Sequence, residues 1–320
     1  MNRKRKTIIA QNAISEVISL NLGGFEQKVM LEGKQTSLPI VITLHGGPGS
    51  PIPFSVGCRG MFPDFTDRFI LVTWDQLGCG INNHVIDDTF RLENYIEMTL
   101  DLIKAIKKRF PSNKLILFGM SFGSVLALNA ATRMKDAIDA VITWGQIIKE
   151  PIVNHASLNA LKDSSLPFKK KKLLAELEGK PVTAQTVSFV ARGLMKYTNA
   201  YTNREGKKES LLPIILSLMT SPDYRFRDFI AMVKNGYLKN TSLWNELVNV
   251  DYQKMLSEIS VPYRILQGDT DLATNTDFVA ECVKSSHNPF LSCEIFEKCG
   301  HIPGKQSIEV ALDRLTSILK

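Results

Sequence analysis

Short, nearly all-apolar runs that end on a glycine or a polar turn recur along the chain. Ile40-Val41-Ile42-Thr43-Leu44 stops at a glycine-rich loop, Phe69 to Trp74 repeats the pattern, and Leu115-Ile116-Leu117-Phe118 runs straight into Gly119. A strand covered on both faces buries every side chain, so it reads as a continuous apolar run instead of alternating. Ala140 to Trp144, Tyr263 to Leu266 and Leu291 to Phe296 add three more such runs. Between the second and third, Leu92, Tyr95, Ile96, Leu100, Ile103 and Ile106 recur at three- and four-residue spacing, which predicts an amphipathic crossover helix over residues 91 to 109. A small-residue helix is predicted after Gly119, through about Met134. Residues 15 to 33 alternate loosely about Gly23-Gly24 and predict a leading hairpin of two strands. Strands alternating with helices imply an α/β fold with a mostly parallel sheet.

From about residue 150 to 257 the strand pattern gives way to helical periodicity, polar stretches and breakers at Pro167, Pro181, Pro213 and Pro222. The expected organisation is a core of residues 1–149 and 258–320, interrupted by a helical cap over residues 150–257 that is inserted after the fourth parallel-type strand. Such an insertion would overhang the loops at one end of the sheet and set substrate size. A length of 320 residues suits this division, since α/β enzymes often place about 250 residues around one sheet. No repeat of 20 to 50 residues interrupts the pattern.

Composition changes this picture little. With 44% hydrophobic and 22% charged residues the chain can bury a sizeable core. The net charge of +7 gathers at Arg3 to Lys6, Lys107 to Arg109 and Lys169 to Lys172, which read as solvated ends and faces. No aromatic interleaving accompanies them, so a nucleic-acid partner is not expected. The five cysteines, Cys58, Cys79, Cys282, Cys293 and Cys299, are dispersed and lack CxxC spacing. That argues against a disulfide framework or a zinc site and points to the cytoplasm. The apolar stretch Thr7 to Ala10 is broken by Gln11 and Asn12 before it reaches signal-peptide length, and no span approaches the roughly 18 apolar residues of a membrane helix. Neither a membrane partner nor a metal or other cofactor is expected.

The candidate chemistry lies at the ends of the apolar runs. Gly119-Met120-Ser121-Phe122-Gly123 stands between a strand and a helix, the context of a GxSxG nucleophile elbow. There the turn is so tight that side chains two positions before and after the serine would strike neighbouring elements. His45-Gly46-Gly47-Pro48-Gly49 follows an earlier strand and can bring an unshielded backbone N–H to a reacting carbonyl. Gly47 with the N–H of Phe122 is the expected oxyanion hole, with Gly46 as the neighbour able to contribute instead; His45 reads as a brace for the loop. An acid and a base are needed later in the chain, each on a loop after a strand. Leu266-Gln267-Gly268-Asp269-Thr270-Asp271 and Cys299-Gly300-His301 meet that requirement. His301 would take the serine proton, and Asp271, with Asp269 as the alternative, would fix its tautomer. His84, His155 and His287 stand in polar surroundings and read as surface residues.

Taken together, Leu44 to Ser50, Trp74-Asp75-Gln76-Leu77-Gly78-Cys79-Gly80 and Gly119 to Gly123 resemble the motifs of proline iminopeptidases and their close α/β-hydrolase relatives, in order and spacing. The likeness extends to Leu22 to Gln27, Gly268 to Asp271 and Gly300-His301. The resemblance implies the α/β-hydrolase fold, a catalytic triad of Ser121, Asp271 and His301, and an oxyanion hole of Gly47 and Phe122. Iminopeptidases of this kind release an N-terminal proline and hold the free amine with carboxylates from the cap. Leu77 stands where an arginine is usual, Phe122 where a tryptophan is usual, and the glutamate motif for the amine is not evident. Glu150, Glu246 and Asp251 are acids near or within the cap, and Glu246 is the candidate for substrate binding.

The functional expectation is a serine hydrolase working through an acyl-enzyme on a small-molecule or short peptide substrate. An aminopeptidase of the proline iminopeptidase type is the first reading. A carboxylesterase or other small-molecule hydrolase is the alternative, and a catalytically silent, ligand-binding version of the fold is a third.

Overall fold

The computed structural model describes residues 3–177, 179–202, 216–234 and 240–319. Its strands are β1 (Ile14–Leu22), β2 (Phe25–Gly33), β3 (Ile40–Leu44), β4 (Ile70–Trp74), β5 (Leu115–Met120), β6 (Ala140–Trp144), β7 (Tyr263–Gly268) and β8 (Leu291–Phe296). They form one sheet in the order β1-β2-β4-β3-β5-β6-β7-β8. The leading hairpin runs antiparallel to its neighbours, and every pairing from β4 to β8 is parallel.

Register explains where chemistry gathers. Leu44 lies opposite Gly119, Met120 opposite Trp144, and Gly268 opposite Phe296. The C-terminal ends of β3, β5, β6, β7 and β8 therefore sit at one edge of the sheet, and the loops that follow them share that edge. This is where ligands bind in open α/β sheets.

The continuous apolar runs are strands buried along their whole length: β3, β4, β5 and β6 have no exposed position. The helix Leu92–Arg109 turns its stripe of Tyr95, Ile96, Leu102, Ile103 and Ile106 onto the sheet and closes on Lys107, Lys108 and Arg109. Those cations complement the partial negative charge of the helix C-terminus. The helix Phe122–Arg133 is buried on nearly every side, which its small residues allow.

Residues between β6 and β7 contribute no strand to the sheet among those described. They form the helices His155–Asp163, Phe168–Leu177, Ala184–Tyr197, Phe226–Lys234, Thr241–Leu247 and Gln253–Ser257. Leu161, Leu166, Leu174, Val190, Leu194 and Ala200 make a small core of their own there, while Trp244 and Val187 join the main core. Pro213, one of the expected breakers, lies outside the described residues.

The N-terminal segment differs from expectation. Arg3–Gln11 is a helix, and Arg5, read from sequence as part of a solvated end, is only 4% exposed. Its guanidinium donates to the carbonyls of Arg59 and Gly57, both at 2.5 Å, and of Ser217 at 3.0 Å. Those carbonyls come from distant segments, so the sequence offered no sign of them. No helix among the described residues is long and apolar enough to cross a membrane.

Candidate active site

Strand β5 runs two residues further than expected, through Gly119 and Met120, and the helix begins immediately at Phe122. One residue must make the turn. Ser121 does so at φ 50°, ψ −117°, a conformation that side chains rarely adopt, with a typical cost of about 1–3 kcal/mol. The Ser121 N–H donates to the Trp144 carbonyl at 2.8 Å, and the Ser124 hydroxyl donates to the Ser121 carbonyl at 2.6 Å. The flanking glycines follow from space. A Cβ at position 119 would lie 2.5 Å from the Gly123 oxygen, and one at 123 would lie 1.8 Å from the Leu44 oxygen.

The loops after β7 and β8 bring two further groups to the serine. His301 Nε2 is 2.9 Å from Ser121 Oγ, and His301 Nδ1 is 2.8 Å from Asp271 Oδ2. Asp271 is 1% exposed, and its carboxylate is fully engaged. Oδ1 accepts from the N–H groups of Ala273 at 2.8 Å and Thr274 at 3.1 Å. Oδ2 also accepts from the Thr274 hydroxyl at 2.8 Å and the Gln267 amide at 3.2 Å. With a carboxylate at Nδ1, that nitrogen carries the proton, which leaves Nε2 free to accept the serine proton. Asp269 does not reach the imidazole: it accepts from the Cys299 N–H at 2.8 Å and braces the loop that carries His301.

The loop after β3 lies against the elbow. A Cβ on Gly46 would sit 3.2 Å from Ser121 Cβ. His45 is wholly buried, and burial pushes its pKa down to about 4. It is therefore neutral at pH 7, with Nδ1–H donating to the Gly46 carbonyl at 2.9 Å and Nε2 accepting the Gln76 N–H at 3.0 Å. The buried Gln76 side chain completes the brace, donating to the His45 carbonyl at 2.9 Å and accepting from the Gly49 N–H at 3.3 Å. The N–H groups of Gly47 and Phe122 have no acceptor among the described residues.

Above these groups lies a cavity of about 340 Å³ whose wall includes Gly46, Gly47, Ser121 and His301 from the sheet side. Ile152, Val187, Arg192, Met195, Tyr201 and Trp244, from the segment between β6 and β7, face them across it. A backbone ladder ties that segment to the histidine loop: His301 N–H donates to the Ala200 carbonyl at 2.8 Å and Gly300 N–H to the Thr202 carbonyl at 2.5 Å. The Tyr201 ring meets the imidazole edge-on at 5.6 Å.

The sequence model of the α/β hydrolase fold matches residues 39–306. The chain belongs to the α/β-hydrolase fold family. It is 23% identical over 301 residues to the probable aminopeptidase YbaC of Bacillus subtilis (strain 168), covering 92% of both chains. It is 27% identical over 266 residues to a proline iminopeptidase of Heyndrickxia coagulans, covering 82% of this chain and 84% of that one. The crystal structure of a proline iminopeptidase from Mycobacterium smegmatis superimposes with a TM-score of 0.65 at 15% identity, over 95% of this chain and 97% of the other. The protein is a hydrolase, and the expectations for its fold and family agree with these relationships.

Within this hydrolase, Ser121, His301, Asp271, Gly46, Gly47 and the Phe122 backbone come together. Glu246 does not, and its reading as a substrate-binding acid is corrected. Its carboxylate accepts from the Leu92 N–H at 2.7 Å and pairs with Arg91 at 3.3 Å, so it caps the N-terminus of the helix Leu92–Arg109. Asp251 pairs with Lys149 at 3.4 Å, Glu150 is exposed, and neither lines the cavity. The Phe122 side chain points into the core, edge-on to Tyr95 at 5.8 Å. Leu77 is likewise buried, and its carbonyl accepts the Tyr95 hydroxyl at 3.1 Å. Sequence reasoning missed Gln267, Thr274 and Gly145. Gln267 carried the only visible signal, a polar residue at the end of an apolar strand.

Proposed function

We propose that this hydrolase is a serine hydrolase working through an acyl-enzyme, with Ser121 as nucleophile, His301 as general base and Asp271 as the group that orients it. The observation that carries the reading is the continuous relay from Ser121 Oγ through His301 to Asp271, at 2.9 and 2.8 Å. Ser121 Oγ attacks the substrate carbonyl while His301 Nε2 takes its proton. The N–H groups of Gly47 and Phe122 receive the negative charge that develops on the carbonyl oxygen, a contribution of about 2.7–4 kcal/mol per donor in comparable sites. His301 then returns the proton to the leaving group, and water repeats the sequence on the acyl-enzyme.

The aminopeptidase reading draws support from the relatives that carry that name. A second reading, hydrolysis of a small carboxylic ester, is favoured by the cavity wall, which holds no carboxylate for a substrate ammonium among the described residues. A fluorophosphonate probe should label the wild type and leave Ser121→Ala unlabelled; equal labelling of both would overturn the nucleophile assignment. Proline arylamides turned over faster than aryl esters support the aminopeptidase reading. The reverse ranking supports the esterase reading.

A further inference from the structure

The helix Ala184–Tyr197 presents two adjacent faces to two adjacent spaces. Val187, Ala191 and Met195, at helical spacing, line the cavity over Ser121, and Gln185, Phe189 and Lys196 line a neighbouring groove of about 540 Å³. Ser188 and Arg192, one turn apart, belong to both walls and form the ridge between them.

Among the described residues, the charged groups on these walls are all of one sign. Arg192 is the charged side chain of the Ser121 cavity, and the groove adds Lys170 and Lys196. No carboxylate among the described residues lines either space or pairs with Arg192. A cleft lined by one sign of charge between low-dielectric walls concentrates ligands of the opposite sign. A guanidinium is also suited to grip a carboxylate through two parallel hydrogen bonds. We propose that the substrate carries a carboxylate beyond its scissile carbonyl, and that Arg192 is the specificity-determining residue that binds it. The inference rests on the serine hydrolase reading of the cavity and deepens it by naming a substrate class. The same chemistry has two sources: the free acid arm of a diacid ester, or the C-terminal carboxylate of a short peptide.

The test compares mono-4-nitrophenyl esters of the linear C4–C8 diacids with the neutral monoacid esters of equal length. Wild type should prefer the anionic ester of at least one length by roughly tenfold to a hundredfold in kcat/KM. Arg192→Gln should erase that ratio, and Arg192→Lys should retain part of it. Equal ratios in wild type and Arg192→Gln, or no anionic preference at any length, overturn the proposal. Prolylglycine against prolylglycinamide assigns the source, since a preference for the free acid that Arg192→Gln removes places the carboxylate on a peptide. Binding gives an arm that needs no turnover. Calorimetry with adipate on Ser121→Ala should show binding that is lost in Ser121→Ala/Arg192→Gln, and equal or absent binding in both sinks the idea. Failure of the serine hydrolase reading is seen separately, as absent fluorophosphonate labelling of wild type.

Discussion

A Cβ at position 145 would lie 3.1 Å from both Nδ1 and Cε1 of His301, and 3.4 Å from Asp271 Oδ2. Gly145 follows β6 at φ +64° and holds its place through a 3.1 Å bond from its N–H to the Leu266 carbonyl. The imidazole therefore packs on bare backbone. Gly145→Ala should push the ring away from Ser121 and lower kcat by about tenfold to a hundredfold, because small displacements of reacting groups are costly. The left-handed backbone adds a stability cost of roughly 1–2 kcal/mol. Steady-state kinetics with urea unfolding on the same protein check both effects, and full activity in Gly145→Ala would remove the packing constraint.

The two aspartates of the loop after β7 should separate cleanly. Ser121→Ala and His301→Ala are expected to lower kcat by up to about a millionfold. Asp271→Asn should cost about ten-thousandfold by favouring the wrong imidazole tautomer. Asp269→Asn keeps an oxygen able to accept the Cys299 N–H and should lose far less. Circular dichroism on each variant establishes that it is folded. Near-native rates in Asp271→Asn with loss in Asp269→Asn would exchange the two roles.

Much of the site was legible because its demands are local. Gly119 and Gly123 announce the elbow because the turn leaves no room for a side chain, and His301 stands out because it follows the last strand and a glycine. Other features depend on contacts between distant segments. Arg5 looks like a solvated cation until the Gly57 and Arg59 carbonyls close around it. Glu246 looks like a cap acid free to meet an amine, but sequence gives a charge and not its direction, and the charge is spent on the Leu92 N–H. Gly145 gave no signal at all, because its neighbour His301 is 156 positions later (301 − 145).

Gln76 is the residue through which the loop after β4 sets the position of the loop after β3. Its amide spans the His45 carbonyl and the Gly49 N–H, on either side of Gly47. Gln76→Ala should therefore loosen the oxyanion loop and lower kcat by about tenfold to a hundredfold, with a smaller change in KM. Gln76→Glu should be worse, since a carboxylate would face the His45 carbonyl oxygen. A rise in KM at constant kcat would instead assign Gln76 to substrate binding.

Two buried groups of opposite behaviour shape the acid stability of the fold. His45 is held down to about 4 by burial, so below its ordinary value of about 6.5 the unfolded chain binds a proton that the fold refuses. Its contribution is complete above about pH 6.5 and declines as pH falls towards 4. Burial raises Asp75 to about 6, with the Asp228 carboxylate adding to the rise. Three donors, the Tyr224 hydroxyl and the N–H groups of Ile81 at 3.0 Å and Val56 at 2.9 Å, pull against it. Here the fold keeps a proton that the unfolded chain releases, so this contribution is complete below about pH 3.8 and is lost as pH rises through about 6. Between these limits the two slopes oppose each other, and wild type should show a shallow dependence. Asp75→Asn removes one of them. The variant should be less stable than wild type at pH 7, because its amide NH2 replaces one of the two carboxylate oxygens and must face either the Val56 N–H or the Ile81 N–H. The gap should widen by about 2 kcal/mol as pH falls from 6 to 4. Urea unfolding of both proteins across that range measures it, and a constant gap would mean that Asp75 does not take up a proton in the folded protein.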